Sequence, residues 1–242
     1  MGDLRKRQTW QAGLAELVGT FFLALAALLT PAPYTALAVG LTLAAFVYAL
    51  GDISGCNVNP AVTLGLVVTR RLSVAVGVLY LAAQLAGAAL ARLLAPLVAP
   101  LPSYAAASPA GEVIGVGFLV LTVLAVSTKF VPKSGSGVAI GAALLAGLLT
   151  TRGVLNPAIA LAMGLGGTPA LWAPLAGALV FGPLALLYLP SGDKKPAPSD
   201  DTKKPADARG SGATRPWRPA TTPGSAHRPR TGSPITFTAR RK

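Results

Sequence analysis

The chain has 242 residues, of which 52% are hydrophobic and only 12% charged, with a formal net charge of +13. Soluble domains carry about 25% charged residues, so the composition argues against an ordinary soluble fold, and one cysteine excludes a disulfide framework. The lone histidine, His227, lies in a polar stretch; no His, Cys and carboxylate cluster has metal spacing and no serine sits in a nucleophile elbow, so an enzyme, a metal site or a cofactor is not expected.

Residues 1–9 form a basic N-terminal segment carrying Arg5, Lys6 and Arg7. Residues 10–30 are a first apolar span, stopped by "PAP". Two readings of this start compete. The basic triplet followed by an apolar run and "ALA" fits a cleaved signal peptide. A retained first helix is favoured, because Glu16 belongs to the repeat described below. Residues 34–51 are a second span, the polar loop "DISGCNV" follows, and 59–69 is a short apolar segment ended by Arg70 and Arg71. Residues 73–95 are a third span, followed by a Pro-rich loop. The pattern then recurs. Residues 111–130 are a span, "VPKSG" a loop, and 136–150 a span of 15 residues, against the roughly 20 that cross a bilayer. The loop "TRGVL" leads into a second short segment at 156–166. The last span, 168–189, carries Trp172 near one end, where indoles favour the interface.

The prediction is thus an all-α membrane domain over residues 10–190, with six spans and two short segments. Segments of about 10 residues cannot cross a bilayer. They must be re-entrant or interfacial, and re-entrant backbone survives only against protein or a watery cavity. The halves, about 10–100 and 110–190, align: Glu16 precedes Asn59 by 43 residues and Glu112 precedes Asn156 by 44. Three spans per half is an odd number, which predicts an inverted 3+3 repeat with its transport path near the midplane. Arg5, Lys6, Arg7, Arg70, Arg71, Lys129 and Lys133 all fall on one side of this arrangement. The opposite side receives Arg152 from its loops and Arg92 from the end of the third span. By the positive-inside rule the basic side is cytoplasmic and both termini lie inside a cell membrane. Residues 191–242 hold twelve basic and four acidic residues among Pro, Gly, Ser and Thr. That composition predicts a disordered, solvated tail. Anionic lipid would attract it at roughly 1 kcal/mol per basic residue near the surface; nucleic acid is a less expected partner.

The chemistry concentrates in "GCNVNPAVTLG" and "GVLNPAIALAMG". Asn is among the best N-cap residues and Pro is favoured next, since it lacks an amide hydrogen that would go unbonded. Asn59-Pro60-Ala61 and Asn156-Pro157-Ala158 therefore read as two helix starts, each carrying about half a positive charge. If these starts meet, a cation at the midplane is repelled, whereas a neutral oxygen can accept hydrogen bonds from two carboxamides. Water held this way donates outward in both directions, which interrupts proton hopping.

These motifs, with "AELVGTFF", "YLAAQLAGAAL", "GEVIGVGFLVLTVLAVSTKFVP" and "PLAGALVFGPLALLY", make the chain resemble the aquaporin, or major intrinsic protein, family. The resemblance implies six tilted helices, two half-helices, a pore in every protomer and a homotetramer in the lipid bilayer. It also implies that Glu16 and Glu112 accept hydrogen bonds from the re-entrant loops. The chain departs from the family at the outer constriction. Ile159 stands where an Arg usually follows the second motif, and Leu161 replaces the Asp of glycerol-conducting members. Val39 aligns with an expected aromatic, Gly147 or Leu148 with a frequent His, and Gly153 with the loop position. Such a set predicts a wide, apolar mouth. For Arg152 there are two readings, a substitute charge in the mouth or an exposed side chain. Asp52 either sits in the inner vestibule or bonds loop amides or solvent. Cys56 is either a pore-facing thiol or a buried one. Gly111 and Gly115, like Gly137 and Gly141, are spaced for close helix approach.

The leading functional expectation is passive permeation of water or small uncharged solutes such as polyols, urea, ammonia or undissociated metalloid acids. A non-conducting anchor with a basic binding tail is the alternative. An ion-coupled transporter ranks third, since no membrane acid pair is evident.

Overall fold

The computed structural model describes residues 7–105, 107–128 and 131–189. Expectations for residues 1–6, for Lys129 and for the tail lie outside the described residues. Helices α1 (Arg7–Leu29) and α2 (Thr35–Ser54) are followed by the short α3 (Pro60–Val68) and by α4 (Val74–Leu94). The second half gives α5 (Pro109–Ser127), α6 (Lys133–Thr151), the six-residue α7 (Pro157–Ala162) and α8 (Pro169–Ala185). Four of these starts are an N-cap followed by proline: Asn59-Pro60, Ser108-Pro109, Asn156-Pro157 and Thr168-Pro169. In each, the cap side chain accepts an orphan amide of the first turn, and proline removes another orphan.

Helix α6 begins inside the expected "VPKSG" loop and reaches 19 residues, so the short fifth span of the sequence reading is corrected. Pro132 has extended geometry and turns directly into the helix, with Gly135 N–H bonded to its carbonyl. Helix α8 is shorter than expected, at 17 residues, and carries Pro174 and Pro183 inside it. Beyond Pro183, which has no amide hydrogen, Leu186 and Leu187 bond back only three residues, to Pro183 and Leu184. The regular ladder ends in this tightened turn. Five helices (α1, α2, α4, α5 and α6) are long and apolar enough to cross a membrane. Helix α8 sits at the lower end of the crossing range of about 17–25 residues.

The halves build one symmetric packing. Helix α1 packs on α2 and α4, as α5 packs on α6 and α8. Helix α3 touches α4, α5 and α8, as α7 touches α8, α1 and α4; α2 meets α6 and α3 meets α7. Exchanging α1–α4 with α5–α8 leaves this set of contacts unchanged. The α2–α6 seam is close because it has no side chains to hold it apart. A Cβ at Gly141 would lie 2.6 Å from the Gly40 carbonyl oxygen, and one at Gly137 would lie 2.7 Å from that of Ala44. Gly111 and Gly115 likewise let α5 approach the end of α6: a Cβ at Gly111 would lie 3.2 Å from the Thr151 carbonyl oxygen and one at Gly147 would lie 2.8 Å from that of Gly115, while Gly115 also admits Leu155 of the following loop.

Candidate functional site

Helices α3 and α7 start against each other at the centre of this packing. Asn59 Oδ1 accepts from Ala61 N–H at 2.8 Å, and Asn156 Oδ1 accepts from Ala158 N–H at 3.0 Å. The nitrogens of the same side chains reach across. Asn59 Nδ2 donates to the Leu155 carbonyl, and Asn156 Nδ2 to the Val58 carbonyl, each at 2.9 Å. Each carboxamide thus caps its own helix and bonds the residue preceding the other Asn. Val58 and Leu155 adopt left-handed backbone, with φ of 42° and 61°, a costly region for any residue but glycine and most so for the β-branched Val58. Pro60, Ala61, Pro157 and Ala158 are buried beside the pair.

Two fully buried carboxylates hold the loops in this shape. Glu16 accepts from the amides of Asn57 at 2.9 Å and Val58 at 2.6 Å, from Ser54 Oγ at 2.7 Å and from Gln84 Nε2 at 2.8 Å. Glu112 accepts from the amides of Val154 at 2.9 Å and Leu155 at 2.8 Å. The expected loop bonds are present in both halves, with two additional side-chain donors in the first. Glycine then lets each loop approach its first helix. A Cβ at Gly19 would come within 2.6 Å of Val58, and one at Gly115 within 2.4 Å of Leu155.

Cavities open on opposite sides of the Asn pair. One of about 360 Å³ is lined by Val39, Leu148, Arg152, Gly153, Val154 and Ile159, among others. Four of the residues expected at the outer constriction therefore meet there. Gly147 does not line this cavity; it is packed against the Gly115 carbonyl. Arg152 is an exposed lining residue that ends α6 in left-handed geometry, φ 56°. Tyr104 also lines this side and donates to the Leu28 carbonyl at 2.8 Å. Burial pushes its phenol above the ordinary value, while the positive charge of Arg92 pulls the other way.

On the other side lie overlapping cavities of about 560 and 890 Å³, which share Gly55, Asn57, Leu66 and Ser127. Asp52 and Lys133 stand at the first, Arg70 and Arg71 at the second. Asp52 takes the vestibule position and pairs with Lys133 at 2.5 Å; both are largely exposed, so the pair adds little stability. Eight residue steps along α2, from Val39 to Val47, and eight along α6, from Leu148 back to Ile140, separate the two sides, about 12 Å along each axis. Leu43 and Leu144 lie between them on the same helix faces and are buried. Val39–Leu43–Val47 and Ile140–Leu144–Leu148 are thus two apolar stripes leading from one cavity to the other.

Cys56 departs from the pore-facing expectation. It is 3% exposed, lines none of these cavities, and its amide is tied to Ser54 Oγ at 2.9 Å. Its left-handed backbone, φ 51°, goes with a side chain packed in the core. Sequence reading did not single out Gln84, Ser54 or Asn57. The signal for Gln84 was a lone amide inside an apolar span.

The family profile described as "Major intrinsic protein" matches residues 3–188. The chain belongs to the major intrinsic protein family. Aquaporin AqpM of Methanothermobacter thermautotrophicus is 32% identical over 194 residues, covering 60% of this chain and 78% of that protein. Aquaporin AqpM of Methanothermobacter marburgensis is 38% identical over 144 residues, which is 50% of this chain but only 58% of that protein. Aquaporin TIP4-4 of Zea mays is 35% identical, covering 69% of this chain and 76% of that protein. The X-ray structure of the aquaglyceroporin from Plasmodium falciparum matches with a TM-score of 0.60 and 21% identity, over 74% of this chain and 99% of that one, a likeness of fold. As a major intrinsic protein with five apolar helices of crossing length, the chain is an integral membrane protein of aquaporin-like helical fold. Aquaporins of this family are channels rather than enzymes.

Proposed function

We propose that the chain is a membrane channel that passes water and small uncharged solutes and holds back protons and ions at the paired Asn-Pro-Ala motifs. The single observation that carries this reading is the reciprocal Asn59–Asn156 arrangement between cavities on either side. A carboxamide has two N–H donors, and the cross-bonds use one on each Asn. The second is left for an oxygen of the permeating molecule. Two helix N-termini converge at the same place, and each opposes a cation that must also lose its hydration. A water whose oxygen accepts there keeps both hydrogens turned away, so no proton passes along the file.

A wider facilitator for polyols, urea, ammonia or metalloid acids is a second reading, favoured by the outer cavity. Val39, Leu148, Val154 and Ile159 give it an apolar wall, and among the described residues its only charged lining side chain is the exposed Arg152. A water file there has few groups to replace its hydration, while a carbon-bearing solute meets a compatible surface. In the same proposal the mouth with Arg70, Arg71 and Lys133 faces the cytoplasm, the termini lie inside, and the protein works as a homotetramer. The basic tail rests on anionic lipid, with nucleic acid a less favoured partner. Light-scattering shrinkage of proteoliposomes facing sucrose, glycerol and urea gradients tests both readings. Water or solute flux above that of protein-free vesicles, without proton leak, is expected. No flux for any neutral solute would leave the non-conducting anchor.

A further inference from the structure

Among the described residues, Asn57 has a buried side-chain donor that neither the fold nor the paired motif uses. Its backbone amide is tied to Glu16, which fixes the loop, yet its side-chain Nδ2 is buried with no hydrogen-bond partner. The residue is 6% exposed and lines both cavities on the basic side. Around it the wall is largely apolar, with Val47, Leu66, Val123 and Ile140 among its members. Buried carboxamide donors in native proteins are almost always satisfied, and leaving one unpaired in an apolar setting is costly. A donor held this way, two residues ahead of Asn59, is built for an acceptor that arrives through the cavity. The matching residue of the second half is Val154, whose amide is tied to Glu112 in the same manner but whose side chain donates nothing. The site therefore exists on one side only.

We infer that Asn57 forms an entry site for a hydroxyl oxygen of a polyol, and so sets the preference for polyols over water. This rests on the channel reading above. A polyol offers more than one acceptor oxygen and can bridge Asn57 and the Asn59 amide, which the single oxygen of urea cannot. A single water cannot span both either, so loss of Asn57 should weaken the polyol more than the water.

The test compares full-length wild type with Asn57→Leu, which keeps the volume and removes the donors, and Asn57→Gln, which keeps the donors. Water, glycerol and urea permeabilities are measured in the same proteoliposome preparations, with the melting temperature of each protein. Should Asn57→Leu not reconstitute, Asn57→Ala carries the same comparison. The expected result is a glycerol-to-water permeability ratio lowered about three- to tenfold, the scale of one lost hydrogen bond, with recovery in Asn57→Gln and with one-oxygen urea following water. A purely structural role would lower both permeabilities together and leave the ratio alone. A ratio within twofold of wild type, or higher, overturns the inference while leaving the channel standing. A wild type that conducts nothing above empty vesicles removes both.

Discussion

Asn59 and Asn156 each use both ends of a side chain, the oxygen on their own helix and the nitrogen on the opposite loop. Truncating either to Ala removes a cap, worth about 1 kcal/mol, and orphans a buried carbonyl, worth about 1–3 kcal/mol. Asn156→Ala should therefore lose about 2–4 kcal/mol of stability by denaturant melting in detergent, and proton leak should rise in vesicles. The two changes should not be additive with Asn59→Ala, since both disturb one junction. Cys56 gives a second residue-scale prediction. Because the thiol is packed in the core, mercurials or thiosulfonates should leave wild-type and Cys56→Ser flux equally unchanged, and labelling should require denaturant. Selective protection by Cys56→Ser would show that the thiol reaches the conduction path.

At the scale of elements, the closest contacts involve loops as well as helices. Gly19 and Gly115 hold equivalent places on α1 and α5, and each receives the residue just before a motif Asn. Gly115→Val should push Leu155 away and turn its carbonyl off Asn59. The expected cost is about 1–3 kcal/mol from overpacking, with loss of flux while the helical circular dichroism signal persists. Retained flux at wild-type rates would mean the loop has room the packing does not indicate. Much of this layer was legible in the sequence, for physical reasons. Asn-Pro marks a helix start because both residues solve the problem of unbonded amides. A carboxylate inside an apolar span must find donors, so Glu16 and Glu112 pointed to partners before any were visible. What the sequence hid depended on side-chain direction in irregular backbone. Cys56, Asn57 and Val58 are consecutive, yet one packs in the core, one lines cavities and one meets Gly19. Left-handed φ values at Cys56 and Val58 break the regular alternation that sequence spacing assumes. The end of α8 was missed for a related reason, since the tightened turn after Pro183 still reads as apolar. Gly147 and Leu148 could not be separated by alignment because one residue is 100° of helix rotation. Gly147 packs on α5, and Leu148 lines the outer cavity.

On the scale of the whole molecule, the two halves are tied where neither is complete. The amide of Asn59 finds its acceptor in the second half, and that of Asn156 in the first, while α3 packs on α5 and α8 and α7 on α1 and α4. During synthesis, then, the first three spans must wait in the bilayer with α3 lacking α5 and α8 and Asn59 lacking its acceptor. Expressed without the remainder, residues 1–105 should be retained poorly and degraded quickly. Supplied together with residues 106–242 as a second polypeptide, they should be rescued, and the pair should copurify. Independent survival of the first piece would be the contrary result. Biogenesis of this protein is thus a delayed handshake, in which the early-made portion becomes durable only when the late-made portion arrives.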